Sequence, residues 1–203
     1  MKEMWDQRFA SEEYAYGTQP NLYFKEKLTG LEPGTLLLPA EGEGRNAVFA
    51  AGLGWEVRAM DFSGQGRIKA LKLAESMGVQ LDYTIGDLAV EDFGEGIYDA
   101  AALIYAHMPP DFRKQVHRRI LKSLKPGGFI ILEAFNKGQV GNSSGGPKSV
   151  EMLYSTDILA DDFEGIEFDT LQELTISLDQ GAFHQGHSAI IRMFGRKPGN
   201  NTQ

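Results

Sequence analysis

Short apolar runs alternate with helical patterns over the first two thirds of the chain. Five runs are predicted as strands: 34–39, 56–60, 79–85, 98–105 and 129–135. Three segments with helical recurrence lie between them: 46–53, 65–77 and 110–124. Strands that alternate with helices form a parallel sheet, because each helix returns the chain to the same end of the sheet by a right-handed crossover. The pattern therefore predicts an α/β fold of Rossmann-like type, with helices on both faces of the sheet.

The last part of the chain follows a different pattern. Segments 166–178 and 184–195 both look like strands, and the tight stretch Asp179–Gly181 joins them without a helix. Two strands joined in this way form a hairpin and run antiparallel. We therefore expect a mostly parallel sheet with a reversed C-terminal strand.

Composition limits the classes of protein that fit. The chain has 203 residues, suited to one domain (1–203), and a net charge of -8, which argues against a nucleic-acid partner. There is no cysteine, and the N-terminus is too charged for a secretory signal. No apolar run is long enough to span a membrane, so we expect no membrane partner. Together these features predict a cytoplasmic protein. A basic cluster lies within 113–122 and includes His117; its spacing is typical of a solvated helix face.

A glycine-rich turn, 40–46, follows the first predicted strand and leads into a helix. Gly42 and Gly44 allow the backbone to turn sharply and to approach a ligand, and the helix N-terminus offers free N–H groups. Turns of this kind bind NAD, FAD and other nucleotides, and some only reverse the chain.

Acidic residues follow the next two strands. Asp61 lies about 20 residues after the glycines, where a carboxylate accepts hydrogen bonds from the ribose hydroxyls of an adenosine ligand. Asp87 follows the third strand and is placed to receive an adenine amino group, with Leu88 or Phe93 covering the ring. Two simpler interpretations stay open: Asp61 or Ser63 caps the next helix, and Asp87 stabilises a turn.

Motifs along nearly the whole chain, in order, resemble the class I S-adenosylmethionine-dependent methyltransferases, and within them the small tellurite-resistance and thiopurine type. The motifs are WDQRF (5–9), YAYG (14–17), GEGRN (42–46), DFS (61–63), GDL (86–88), LKPGG (124–128), GGP (145–147), HQGH (184–187) and GRKP (195–198). The resemblance implies methyl transfer from S-adenosylmethionine and a seven-stranded sheet with the reversed seventh strand beside the fifth. It also implies an N-terminal lid-like segment (1–30), a cofactor-binding core (31–135) and a substrate-side loop with the terminal hairpin (136–198).

Carried over position by position, the resemblance predicts a set of cofactor-binding residues. They are Tyr16, Gly17, Glu41, Gly42, Glu43, Gly44, Arg45, Asn46, Asp61, Phe62, Ser63, Asp87, Leu88 and Tyr105. One departure stands out: the family carries an acid at the end of the first strand and a glycine two positions later, and here these places hold Leu38 and Ala40. Glu41 or Glu43 replaces the missing acid, or affinity for the cofactor is reduced or lost.

Methyl transfer needs alignment of nucleophile, methyl group and sulfur more than it needs side-chain chemistry. A small-molecule acceptor such as a thiol or chalcogen species needs no dedicated base, whereas an alcohol or phenol does. His107, after the fourth strand, is the predicted catalytic residue, with a loop-stabilising role as its alternative. His184 or His187 is expected on the substrate side, and the spacing of the histidines predicts no metal site.

An aromatic segment and a glycine-rich segment each have two interpretations. Trp5, Tyr14 and Tyr16 are core residues or part of the lid, and 138–146 borders the substrate opening or is a surface loop. Two other functions also stay open. The first is an NAD-binding oxidoreductase, although the Gly-x-Gly-x-x-Gly pattern fails at Ala47; the second is a non-catalytic S-adenosylmethionine-binding sensor. A monomer and a homodimer are both compatible with the sequence.

Overall fold

The computed structural model describes residues 2–199, which fold around one seven-stranded sheet. The strands are β1 (Thr35–Pro39), β2 (Glu56–Asp61), β3 (Asp82–Ile85), β4 (Tyr98–Ile104), β5 (Leu124–Phe135), β6 (Glu167–Asp179) and β7 (Gln185–Arg196). The helices are α1 (Lys2–Phe9), α2 (Leu22–Thr29), α3 (Arg45–Gly52), α4 (Gly64–Ser76), α5 (Pro110–Ser123) and α6 (Thr156–Asp162).

The strand order is β3-β2-β1-β4-β5-β7-β6. β1 pairs in parallel with β2 on one side and with β4 on the other, so the connection from β1 to β2 and the connection from β4 to β5 lead in opposite directions. A crevice forms at the carboxyl ends of the strands where the order reverses in this way, and open α/β sheets bind their ligands there. The ends of β1, β2 and β4 therefore frame the expected site.

Both faces of the sheet are covered by apolar residues. Leu37 of β1 lies in the core on the face covered by α5 and α6, whereas Leu36 and Leu38 lie in the core on the face covered by α2, α3 and α4. Successive side chains of a strand point to opposite faces, and all three of these leucines are buried. A strand buried on both faces explains why its sequence is continuously apolar.

The reversed C-terminal strand is confirmed. β7 runs antiparallel to both β5 and β6, and it lies between them. The seven-stranded sheet, mostly parallel and with helices on both faces, is also as predicted. Within residues 2–199, no helix combines the length and apolar character needed to cross a membrane.

Several local features differ from the predictions. β3 begins at Asp82 rather than at 79. β5 begins at Leu124 rather than at 129, because Leu124 pairs with Tyr98 before a register shift in the β4–β5 ladder.

The helices α1, α2 and α6 were not predicted. In α2 and α6, a side chain satisfies one of the N-terminal N–H groups: Asn21 accepts from the backbone N–H of Phe24, and Ser155 accepts from that of Ile158.

The basic cluster on α5 is not wholly solvated, which corrects the expectation for His117. His117 is fully buried, its Nδ1 lies 2.8 Å from Oδ2 of Asp162, and its ring stacks on Phe163. Arg113 forms a second contact of 2.7 Å with the same carboxylate. A buried ion needs such partners to offset its lost hydration. The more exposed Lys114 and Arg118 pair with acids at the surface.

Candidate cofactor and acceptor site

A cavity of about 680 Å³ opens at the carboxyl ends of the central strands. It is walled by the loops after β1, β2, β3 and β4, by α1 and the segment after it, and by residues of the β5–α6 connection. Thirteen of the predicted site residues line it: Tyr16, Gly17, Glu41, Gly42, Glu43, Arg45, Asn46, Asp61, Phe62, Asp87, Leu88, Tyr105 and His107. Gly44 and Ser63 lie outside the lining.

The loop after β1 has an unusual backbone. Ala40, Gly42 and Gly44 have φ angles of 56°, 62° and 84°, in the left-handed region that glycine adopts most easily. Ala40 is held there despite its Cβ atom, a strain that the surrounding structure must offset. At Gly44, an added Cβ would lie 2.5 Å from the Cβ of Ala70. Gly44 therefore allows α3 to pack against α4, and the structure gives it no contact with the cavity.

The carboxylate of Glu41 holds the start of α3. Its Oε1 accepts hydrogen bonds of 2.8 Å from the backbone N–H groups of Asn46 and Ala47. Burial raises the pKa of Glu41 to about 7, against the lowering effect of these hydrogen bonds. The geometry assigns Glu41 to the loop itself. Because Glu41 also lines the cavity, contact with a cofactor ammonium stays a prediction.

Glu43 fastens the N-terminal segment to the sheet edge. Its Oε2 accepts from the backbone N–H of Ala15 at 2.8 Å, and its Oε1 lies 2.6 Å from Nζ of Lys69 on α4. The same Nζ donates to the carbonyl groups of Ser11 and Glu13. Glu43 is therefore already paired with a cation, which makes it a weaker candidate than Glu41 for a ligand ammonium.

Asp61 and Ser63 have separate tasks at the end of β2. The hydroxyl of Ser63 accepts from the N–H of Gly66 at 3.1 Å, so Ser63 caps α4 and does not line the cavity. Asp61 accepts from the N–H groups of Gly42 at 3.1 Å and Ser63 at 2.9 Å, and it does line the cavity. Burial raises the pKa of Asp61 to about 6. Its carboxylate keeps lone pairs for hydroxyl donors, as the ribose hypothesis requires.

The loop after β3 combines a turn with a cavity wall. Oδ1 of Asp87 accepts from the N–H of Ala89 at 2.9 Å, which is the turn-stabilising contact considered above, although Asp87 also lines the cavity. Leu88 lines the cavity too. Phe93 does not; it is fully buried in the hydrophobic core, which leaves Leu88 as the residue able to cover a bound ring.

Tyr105 follows β4 with a φ of 54°, a second non-glycine residue in the left-handed region. Its hydroxyl donates a hydrogen bond of 2.9 Å to Oε1 of Glu133, a buried carboxylate that also pairs with Arg192 at 2.7 Å. Asn21 donates to the same Oε1. Burial and the negative charge of Glu133 raise the pKa of Tyr105 well above its usual value. Tyr105 is therefore a neutral hydrogen-bond donor near pH 7.

His107 is fixed by two backbone groups. Its Nε2 accepts from the N–H of Phe135 at 3.2 Å, so its Nδ1 must carry the proton that it donates to the carbonyl of Met152 at 2.8 Å. Burial lowers the pKa of His107 to about 4. With both nitrogens engaged, His107 has no free atom with which to take a proton from an acceptor. The geometry supports its alternative role, which is to join the ends of β4 and β5 to the following loop, and it does not support a catalytic base.

His184 and His187 lie in different surroundings. The ring of His184 is buried in the cavity wall, with its centroid 4.5 Å from that of Tyr16 and 4.4 Å from that of Tyr105. Burial, and next the nearby charge of Arg45, lower the pKa of His184 to about 3, so the ring is neutral near pH 7. His187 is exposed on β7 and does not line the cavity.

The N-terminal aromatic residues lie in two different places. Trp5 and Tyr16 line the cavity, whereas the hydroxyl of Tyr14 donates to the carbonyl of Lys69 on α4. Of the segment 138–146, Gly146 lines the cavity. Arg8, in the WDQRF motif, also lines the cavity. The sequence did not predict it as a site residue, because a lone arginine near the N-terminus gives no local signal.

Comparison with known proteins agrees with this geometry. Residues 39–128, which include the loops after β1, β2, β3 and β4, match the family model described as a methyltransferase domain. No curated protein matches the sequence of the chain.

Solved structures resemble the whole fold at low sequence identity. TehB from Haemophilus influenzae has a TM-score of 0.74 at 14% identity, covering 97% of this chain and 66% of that chain. A structure described by the conversion of a disulfide bond into a thioacetal group during echinomycin biosynthesis has a TM-score of 0.75 at 19% identity, covering 100% of this chain and 93% of that one. Phosphoethanolamine N-methyltransferase 2 from Haemonchus contortus, in complex with S-adenosyl-L-methionine, has a TM-score of 0.70 at 16% identity. The match covers 95% of this chain and 57% of that chain.

Proposed function

We propose that this chain is an S-adenosylmethionine-dependent methyltransferase that methylates a small molecule through a soft nucleophile such as a thiol or chalcogen species. The match of residues 39–128 to a methyltransferase domain supports the transferase activity. The observation that carries the proposal is the lack of a usable proton acceptor on the acceptor side of the cavity among residues 2–199. An oxygen nucleophile with a high pKa would need such a group, whereas a thiol is partly ionised at neutral pH without one.

The adenosine end of the cofactor is assigned to the loops after β2 and β3. Asp61 would accept from the ribose hydroxyls, and Asp87 with Leu88 would hold the adenine. The methionine end would lie over the loop after β1, near Gly42 and Glu41. This placement is supported by the shape of the cavity, which these loops line continuously. Tyr16 and Gly17, from the proposed N-terminal lid, would close over the cofactor.

Besides Arg8, five titratable side chains line the acceptor side, and each is a poor base: Tyr16, Tyr105, His107, Lys148 and His184. Burial raises the pKa of the Tyr16 phenol above its usual value, and Lys148 is exposed, with no acceptor lone pair on its ammonium. Both nitrogens of His107 are engaged by backbone groups. The hydroxyl of Tyr105 is neutral and donates to Glu133. Burial lowers the pKa of His184 to about 3, far from the value near the working pH that general-base catalysis favours. Bound S-adenosylmethionine supplies a methyl group already activated by the sulfonium. The protein is then left to align the acceptor and to exclude water.

The tellurite-resistance and thiopurine type remains the best description of the subfamily. It is supported by the order of the sequence motifs along the chain and by the structural likeness to TehB, which extends over nearly the whole of this chain. We also propose that the partner is a small molecule and that nucleic acid is not bound, because the chain carries a net charge of -8.

The proposal is tested by the pH dependence of methyl transfer to thiols of different acidity. Acceptors are first found by measuring S-adenosylhomocysteine formation with thiols, selenium and tellurium oxyanions, phenols and amines. For two thiol acceptors whose own pKa values differ, kcat/KM should rise with pH along two curves, each with its midpoint at the pKa of that thiol. The control is the non-enzymatic alkylation of the same thiols, which has the same midpoints.

Three outcomes would overturn the proposal. A midpoint that stays constant when the thiol is changed would belong to a base on the enzyme. Methylation of phenols or amines without methylation of any thiol or chalcogen species would contradict the acceptor class. Binding of S-adenosylmethionine without any methylated product would favour the non-catalytic alternative.

A further inference from the structure

A second, smaller cavity of about 270 Å³ adjoins the larger cavity of about 680 Å³ at the carboxyl ends of the central strands. Arg8, Tyr16, Gly146 and His184 line both cavities, so the two spaces meet at these residues. The remaining wall comes from the loop after β5 and from the β6–β7 turn: Ser143, Gly145, Ala182, Phe183 and Gln185. No residue of the loops after β1, β2 or β3 takes part. The smaller cavity therefore lies beyond the part of the site assigned to the cofactor.

Close packing keeps this wall in place. Gly145 and Gly146 have φ angles of 116° and 92°. A Cβ at Gly145 would lie 2.7 Å from the carbonyl oxygen of Phe183, and one at Gly146 would lie 3.0 Å from the ring of Phe135. Gly145 thus allows the loop after β5 to pack against the β6–β7 turn, and Gly146 allows the same loop to pack against β5. These two close contacts fix the wall of the smaller cavity.

The guanidinium of Arg8 stands at the junction of the two cavities with most of its donors free. Nη1 donates to the hydroxyl of Tyr16 at 2.9 Å, and within residues 2–199 this is its one hydrogen bond to the protein. The guanidinium carbon lies 5.0 Å from the ring centroid of Trp5 and 4.5 Å from that of Phe183. No carboxylate of the described part of the chain pairs with it, in contrast to Arg113 and Arg192, which both have buried acidic partners.

Charge is divided between the two ends of the combined site. The carboxylates that line the larger cavity are Glu41, Glu43, Asp61 and Asp87, and all of them lie on the loops assigned to the cofactor. The smaller cavity has no acidic residue in its lining. His184, between the two, is 5% exposed, and its Nδ1 has no hydrogen-bond partner within residues 2–199. The acceptor end of the site is thus electropositive and contains polar atoms without protein partners.

We propose that Arg8 binds a carboxylate carried by the methyl acceptor, with that carboxylate in the smaller cavity and the nucleophilic atom in the larger one. This inference rests on the proposed function and specifies its substrate class. A guanidinium offers two parallel N–H donors to a carboxylate, and a guanidinium held beside two aromatic rings loses little freedom when it binds. Arg8 is half-buried and has no acidic partner among residues 2–199, so its guanidinium keeps donors for a ligand that brings a negative charge into the cavity.

The test compares mercaptocarboxylates, aliphatic and aromatic, with their primary amides, which have nearly the same shape and no charge. Binding of each acid and amide to the protein saturated with S-adenosylhomocysteine is measured by calorimetry, and kcat/KM for methyl transfer is measured in parallel. For at least one pair, the wild type should prefer the acid by about tenfold to a hundredfold, the scale for hydrogen bonds to a charged group. Arg8→Gln should abolish this preference by weakening the acid and leaving the amide unchanged. Arg118→Gln, on the surface of α5, is the matched control and should keep the wild-type preference.

The cofactor also carries a carboxylate, so a second experiment tests whether Arg8 binds the carboxylate of the cofactor or that of the methyl acceptor. Binding of S-adenosylhomocysteine and of its decarboxylated analogue is compared in the wild type and in Arg8→Gln. The proposal expects no loss for either ligand. A loss confined to the analogue that keeps its carboxylate would assign Arg8 to the cofactor and overturn the proposal.

Equal binding of acid and amide throughout the panel in the wild type would overturn it as well. Because the binding arm needs no turnover, preferential binding of the acid without methyl transfer would support the anion site while contradicting the proposed function.

Discussion

The backbone N–H of Phe135 donates a hydrogen bond of 3.2 Å to Nε2 of His107. This contact fixes the tautomer of the ring, because Nε2 can accept only when the proton is on Nδ1, and Nδ1 donates in turn to the carbonyl of Met152. One side chain thereby joins the end of β5 to the turn before α6. The histidine that the sequence places best for catalysis is in this way used to hold the site together.

Replacing His107 should therefore affect stability more than proton transfer. His107→Phe leaves the N–H of Phe135 and the carbonyl of Met152 without their partner, so we expect a loss of about 1 to 3 kcal/mol in the free energy of unfolding, measured with urea. The pH profile of kcat/KM should keep its midpoint. A variant of wild-type stability whose activity no longer depends on pH would assign His107 as the base.

Asp61→Ala should weaken the binding of S-adenosylhomocysteine by about 1.5 to 3 kcal/mol, a tenfold to hundredfold loss, because the ribose hydroxyls would lose a charged acceptor. Calorimetry measures the effect. Ser63→Ala is the matched control two residues later, since Ser63 caps α4 outside the cavity. That variant should lose about 1 kcal/mol of stability and keep its affinity for the cofactor. The reverse pattern would show that Asp61 supports the helix and that the ribose assignment is wrong.

Cofactor binding should also depend on pH through Asp61. Burial raises the pKa of this carboxylate to about 6 in the free protein, and hydroxyl donors favour its ionised form. Affinity should therefore increase as the pH rises through about 6 and level off above about 7, with a slope of up to about tenfold per pH unit on the acidic side. Calorimetry between about pH 5 and 8 measures this slope. Asp61→Asn should make it shallower, and an unchanged slope in that variant would assign the titration to another group.

The role of Glu41 can be separated from that of its loop. If its carboxylate meets the ammonium of the cofactor, Glu41→Gln should weaken S-adenosylhomocysteine by about tenfold and leave the analogue without the amino group unchanged. If its carboxylate acts through the N–H groups of Asn46 and Ala47, both ligands should be weakened equally. Glu43→Gln is the companion variant. Since Glu43 pairs with Lys69, we expect it to loosen the N-terminal segment and to affect both ligands alike.

Much of the fold was predictable because the apolar pattern and the turn residues agree. β1 is continuously apolar, Gly78 follows α4, and the lack of a helix between β6 and β7 identified the hairpin. The short helices α1, α2 and α6 were missed, because helices of seven or eight residues are marginal on local sequence alone and depend on tertiary packing. The start of β5 was missed because Pro126 and the two glycines after it are typical of a turn, whereas Leu124 is already paired with β4.

The site was predictable where motif and topology coincide, as for the loops after β1, β2 and β3. It was not predictable where function depends on long-range contacts. The burial of His117 beside Asp162 joins residues 45 positions apart. The engagement of Glu133 by Asn21 spans 112 positions, and the free guanidinium of Arg8 is recognisable only once its surroundings are known. Local sequence gives none of these partners.

Methyl transfer itself is the most direct test of the account. The protein is incubated with S-adenosylmethionine carrying a trideuterated methyl group and with each thiol or chalcogen acceptor, and the acceptor and S-adenosylhomocysteine are quantified by mass spectrometry. We expect one trideuteromethyl group to replace one hydrogen, or to add to one chalcogen atom, for each S-adenosylhomocysteine formed. We also expect Asp61→Ala to reduce both products together at low cofactor concentration. Tight binding of NADH with no binding of S-adenosylmethionine, or S-adenosylhomocysteine formed without a labelled acceptor, would contradict it.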